Sequence, residues 1–195
     1  PPRAPRRVPP PRRLEGVILT LGESVRLGKD PGQRMEQAGR RQPCLKKREG
    51  ALMFCIGPVD WPSEIKHHFD VNSFMYHGNQ AIARYDEGEA TSYYTLLKTD
   101  SFDAVIAYYE RRFGKPTEIW DRLVNPLAAP QRPNPTILWR SVDPSTHTVS
   151  VLEVRKFDDT RGGFPDLRRG AILLRREGAQ PIFPRLSALE LLSVN

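Results

Sequence analysis

Cys44 and Cys55 constrain the fold of this chain more than any other feature. They flank Leu45–Phe54, a stretch that reads as strand, turn, strand, with Glu49-Gly50 at its midpoint. A two- or four-residue loop centred there sets Cys44 directly opposite Cys55. Cross-strand Cα separations of about 4.5–5.5 Å fall within the range a disulfide tolerates. A three-residue loop ending at Gly50 shifts the pairing by one, so the bond depends on register. The alternative is a pair of buried free thiols. A disulfide implies an oxidising compartment, whereas free thiols point to a reducing one.

With 195 residues the chain is long enough for one good-sized domain or two small ones. No apolar run approaches the roughly 18 residues of a membrane span. The chain starts at Pro1 rather than Met and shows no signal peptide. If the cysteines are bonded, the segment upstream of it is expected to have held an export signal or membrane anchor. No Asn-x-Ser/Thr acceptor is present.

The net charge of +7 is mostly a property of residues 1–13, which carry Arg3, Arg6, Arg7, Arg12 and Arg13 with no acid; without those five the balance is +2. The same segment holds six prolines, so it is expected to be extended and polyproline-like. It reads as a spacer or as an arm whose arginines contact a partner. The basic run is proline-bound and has no interleaved aromatics, which argues against nucleic acid as that partner.

Beyond the arm, Leu14–Leu21 reads as a strand and Asp30-Pro31 as the start of a short helix ending near Gly39. Gly57–Pro62 breaks the pattern. Strands are expected at 73–77, 80–85 and 90–97. Phe102, Val105, Ile106, Tyr109 and Phe113 then form a single apolar stripe at helical spacing, closed by Gly114 and Pro116. Asp100 or Ser101 is the expected cap. Thr117–Val124, Thr136–Val142, Thr148–Phe157 and Ala171–Arg175 read as strands, with 125–135 as a proline-rich loop and Asp143–Thr146 as a type I turn. Ser187-Ala188-Leu189-Glu190 is a capping box, with Leu186 and Leu191 as its staple.

The expected fold is α+β: an antiparallel sheet with one long amphipathic helix across a face and short helices at both ends. The expected divisions are a Pro/Arg arm at 1–13, a small disulfide-containing module at 14–62 and a main domain at 63–195. A helix closed by Gly and Pro, then antiparallel strands, occurs at 30–56 and again at 100–156, which suggests two degenerate modules. Ser101-Phe102 opening the second helix, Phe113-Gly114-Lys115-Pro116 closing it and Trp139 in a following strand give this part a topology that resembles small secreted envelope proteins. These are the helix-then-meander modules of the outer-membrane assembly lipoprotein and β-lactamase-inhibitor-protein type. The resemblance covers about a third of the chain and implies a binding or scaffold module without catalysis.

Candidate chemistry is sparse. His67, His68, Asp70 and His77 could offer ligands to a metal, but adjacent histidines diverge on strand or helix, and no HxH, HxxxH or CxxC spacing exists. Asp158, Asp159 and Asp166 lie among Arg155, Arg161, Arg168 and Arg169. Their spacing is not that of a calcium loop. These acids are expected to pair with the arginines and order a Gly/Pro loop that serves as a contact surface. Ser24 is not in a nucleophile elbow. No catalytic residue, metal site or cofactor is assigned.

The function expected from these features is that of a non-enzymatic, extracytoplasmic subunit of a bacterial cell-envelope assembly. Its partners would be other protein subunits, with a membrane tether through the upstream segment. The alternative is a basic-armed subunit of a ribonucleoprotein or organellar complex, with Arg3 to Arg13 on phosphate.

Overall fold

Residues 92–97 of strand β6 (Glu89–Lys98) are buried without interruption. Successive side chains of a strand point to opposite faces, so β6 must lie in a sheet covered on both sides. The computed structural model describes residues 12–29, 44–47, 51–73 and 79–193 and places β6 in a ten-stranded sheet. The other strands are β1 (Leu14–Glu15), β2 (Gly28–Lys29), β3 (Cys44–Lys46), β4 (Leu52–Pro58), β5 (Gln80–Asp86), β7 (Glu118–Val124), β8 (Arg132–Val142), β9 (Val149–Arg155) and β10 (Arg169–Arg176). Their order is β1-β8-β9-β10-β6-β5-β4-β3, with β2 added to β6 and β7 to β8. Every pairing is antiparallel except β1 with β8, a parallel pair that antiparallel patterning did not anticipate.

One face of β6 contributes Tyr93 and Leu97 to a core that also holds Leu19, Cys55, Trp61, Tyr109 and Trp139. The other face contributes Tyr94 and Leu96 to a second cluster closed by Ile182, Leu186 and Leu191 from the C-terminal segment. The fold is thus α+β around one large sheet. β4 is paired along its length to β5, and residues on both sides of position 62 share the first core. The boundary drawn at 62 therefore does not divide the packing.

Helix α1 (Phe102–Phe113) has twelve residues, an ordinary length, and ends at Gly114. It buries Phe102, Val105, Tyr108, Tyr109 and Phe113, while Ile106 is only half-buried. Tyr108 takes its place because a second element packs on that flank. Its hydroxyl donates to the Gly22 carbonyl at 3.3 Å, and Trp61 meets its ring edge-on. Ser101 occupies the N-cap position without capping, since its hydroxyl is engaged by His68 Nδ1 at 2.7 Å.

Three other expectations change. The strand expected over Leu14–Leu21 stops at Glu15, because Gly16 turns the chain at φ +66°. The turn after β8 is longer than a type I turn: His147, at φ +58°, donates its N–H to the Asp143 carbonyl. The proline-rich loop ends at 131, and Arg132 onward is strand. Pro135 faces Asp121 of β7, yet its carbonyl accepts the Lys156 N–H at 3.0 Å on the opposite side. Pro133 and Pro135 therefore turn their missing N–H groups away from β7, past the end of β9, and no ladder bond is lost. The capping box forms at helix α2 (Ala188–Leu192), with Leu186 and Leu191 both buried. The helix expected at 30–39, residues 74–77 of the strand expected at 73–77 and the tip of the cysteine hairpin lie outside the described residues.

Cys44 and Cys55 are disulfide-bonded, directly opposite in the β3–β4 register with Cα atoms 4.1 Å apart. Closing a loop of this length contributes about 2–3 kcal/mol by chain entropy. Alkylation before and after reduction should label neither and then both cysteines, and denaturant unfolding of the reduced protein should show that loss. Full labelling without reductant would contradict both the bond and an oxidising compartment.

Candidate functional site

Four of the eight large apolar side chains exposed among the described residues belong to β7 and the turn after it. Ile119 is 71% exposed, Leu123 64%, Leu127 69% and Trp120 46%. Val124 is buried at the end of the strand, but the sequence explains why the rest of β7 stays out of the core. One alternate set reads Ile119, Asp121, Leu123 and the other Glu118, Trp120, Arg122, so each carries charge among its apolar groups. Among the described residues β7 bonds only to β8, and no described strand pairs with its outer edge. Because Pro135 turns its backbone groups away from β7, its partner Asp121 does the same, and the alternation extends this to Ile119 and Leu123. Their N–H and C=O groups line that outer edge.

The hairpin is peripheral but firmly rooted. Asn134, near its turn, is fully buried, donates to the Phe157 carbonyl at 2.8 Å and accepts the Phe157 N–H at 2.9 Å. The Arg132 guanidinium lies 4.6 Å over the Phe157 ring. Behind the strand, Arg140 joins Glu118 at 2.8 Å to Glu177 at 2.5 Å, and Asp159 joins Arg122 at 3.0 Å to Arg155 at 2.7 Å. Arg155 also neutralises Glu153, which is only 2% exposed. Burial pulls the Arg175 pKa below its usual value despite nearby Glu153. These carboxylates are all tied to guanidinium groups, which suits holding a surface in place.

A second feature is a cleft of about 440 Å³ between the 158–168 loop and the C-terminal segment, lined by Asp158, Arg161, Phe164, Phe183 and Leu186 among others. Asp158 is buried and accepts from the Tyr94 hydroxyl, the Thr160 N–H at 3.0 Å, the Thr160 hydroxyl at 2.6 Å and Arg161 Nε at 3.2 Å. Asp166 accepts the Arg168 and Arg169 N–H groups and pairs with the Arg169 guanidinium at 2.9 Å. The acids thus order the loop through local arginines, leaving Phe164 exposed at its crown.

Among the described residues no group of three or more His, Cys, Asp or Glu could hold a metal ion. The rings of His67 and His68 stand 3.9 Å apart and tilted. Burial, then His67 and Lys98, depress the His68 pKa. His77 lies outside the described residues. Ser24 donates to Asp60 at 2.5 Å, and Asp60 also accepts the Glu23 and Ser24 N–H groups, so this serine closes a turn. Of the arm arginines, Arg12 and Arg13 are exposed, while Arg3, Arg6 and Arg7 lie outside the described residues. Reading the chain alone found the 158–168 loop but passed over Ile119, Trp120, Leu123 and Leu127. The available signal was the mixed character of both alternate sets of β7.

No protein-family model matches the chain, and no curated protein or solved structure does.

Proposed function

We propose that the protein is a non-enzymatic, extracytoplasmic accessory or structural subunit of a bacterial cell-envelope assembly, working through protein–protein contacts. The observation that carries this is the rooted β7–β8 hairpin presenting Ile119, Trp120, Leu123 and Leu127 to solvent. Large apolar groups exposed together on one firmly held strand and the turn after it mark a contact surface, because a rigid surface orders little on binding. In this reading α1, lying across one face of the sheet, and the strands after it form the scaffold. The Cys44–Cys55 bond fits an oxidising compartment. The arginines of residues 1–13 supply a second contact.

The test is co-purification with the native membrane assembly. Ile119→Ser with Leu123→Ser should change the stability of the isolated protein by less than about 0.5 kcal/mol, since both side chains are exposed. Recovery in the assembly should fall about tenfold, the loss expected for apolar anchors at an interface. A doubly substituted protein that enters the assembly as well as the natural one removes the hairpin from the interface. Deleting 1–13 should leave the melting temperature nearly unchanged and weaken incorporation; an unfolded deletion variant would make the arm structural instead.

A further inference from the structure

We infer that β7 binds its partner by strand addition. The partner is an extended segment of another protein, with a lysine or arginine facing Asp121 and apolar residues facing Ile119 and Leu123. This rests on the reading of the hairpin as a contact surface and specifies how the contact is made.

Three observations carry it. The outer edge of β7 offers the N–H and C=O groups of Ile119, Asp121 and Leu123, spaced as a ladder requires. Edge strands are commonly blunted by charged side chains, lysine above all, by proline or by a covering element; β7 has no lysine or proline, its Glu118 and Arg122 are paired within the protein, and its outer edge pairs with no described strand. The side chains of the same three residues lie on one face, with the carboxylate between two exposed apolar groups. A segment added here would therefore meet both its backbone and its side-chain partners in one register.

Charge selects the occupant. Glu118 and Arg122 are already paired within the protein, to Arg140 and Asp159. Asp121 makes no ion pair among the described residues. A facing cation satisfies it, and a facing anion repels it. This disfavours a second copy of the chain. Two β7 edges can bond antiparallel only when outward residues face outward residues. In the fully overlapped register Asp121 then faces Asp121 of the other copy. A shift by two places sets Asp121 against Ile119 or Leu123. Both arrangements lose the charge match.

The test uses the full chain, amide-resolved NMR and two synthetic probes, Thr-Thr-Val-Thr-Lys-Thr-Val-Thr-Thr and the same peptide with Glu for Lys. The lysine peptide should shift the amides of Ile119, Asp121 and Leu123, and should bind about fivefold more tightly than the glutamate peptide, as opposite against like cross-strand charges imply. Asp121→Lys should reverse the preference. N-methylation of the lysine peptide's edge-facing amides should abolish binding, with the protein itself unchanged. Equal binding of the methylated peptide, or a preference that Asp121→Lys leaves unreversed, overturns strand addition. So does an absence of binding by either peptide. If this fails while Ile119→Ser with Leu123→Ser still loses the assembly, the hairpin docks through side chains alone. If that variant loses nothing, the broader reading is wrong too.

Discussion

Asp158→Ala should destabilise the protein by about 3 kcal/mol, measured by denaturant unfolding. The carboxylate is buried and is the common acceptor for Tyr94, Thr160 and Arg161. Truncating it takes the shared acceptor away from the buried Tyr94 hydroxyl, removes the nearer of two carboxylate partners of Arg161 and unties the start of the loop. Asp158→Asn should cost less but remain clearly destabilising, because an amide cannot accept from every donor at both of its positions. A loss below about 1 kcal/mol for the alanine variant would mean that the loop is held by other contacts. Acid should act on the same loop. Burial raises the pKa of Asp166, but the Arg168 N–H and the Arg169 guanidinium outweigh it and hold the carboxyl below its ordinary value of 3.8. Its contribution is present above that value and is lost as pH falls through its lower folded-state pKa. The pH titration of stability for Asp166→Asn should therefore be flatter on its acid side.

Local rules made some of this fold readable. Cys44 and Cys55 are equidistant from Glu49-Gly50, so counting offered the directly opposed register beside one shifted by a residue, and the opposed, bonded one forms. Ser187 and Glu190 stand at capping-box spacing, and a capping box needs only near neighbours. The α1 stripe fixed which side faces inward, except where loop 20–25 and Trp61 recruited Tyr108. What was not readable depends on long-range pairing. Nothing near Leu14 announces that it lies parallel to Ser141. Pro133 and Pro135 read as loop because a proline cannot join a ladder on both sides; only the end of β9 makes their position tolerable. The exposure of Ile119 and Leu123 is likewise set by the sheet order, which leaves β7 at an edge. A periodicity argument assigns such residues to a core by default.

Gly170→Ala should be as damaging as the loss of Asp158, for a steric reason. Gly170 is buried in β10 opposite Leu97 of β6. An added Cβ would lie 2.5 Å from the Arg155 carbonyl oxygen, 2.8 Å from that of Lys156 and 2.9 Å from Leu97 Cδ2. The leucine methyl can rotate away, but the two carbonyls belong to the end of β9 and to the residue after it. Lys156 is itself fixed, since its N–H bonds to Pro135 and its carbonyl accepts the Thr99 hydroxyl at 3.2 Å. Relief therefore requires the β9–β10 approach to open, which should cost about 3 kcal/mol, the upper end of the range for overpacking. Gly163→Ala is the control: at φ +73° an added Cβ meets nothing within 4 Å, so only backbone strain of about 1 kcal/mol is expected. The contrast bears on the loop as well. The Asp158 N–H bonds to the Arg169 carbonyl at 2.9 Å, one residue before the crowded glycine. Opening the strands at Gly170 should loosen the 158–168 loop before global unfolding, seen as faster amide exchange at Asp158 and Asp166. Equal stability of the two alanine variants would show that β9 and β10 do not approach this closely at Gly170.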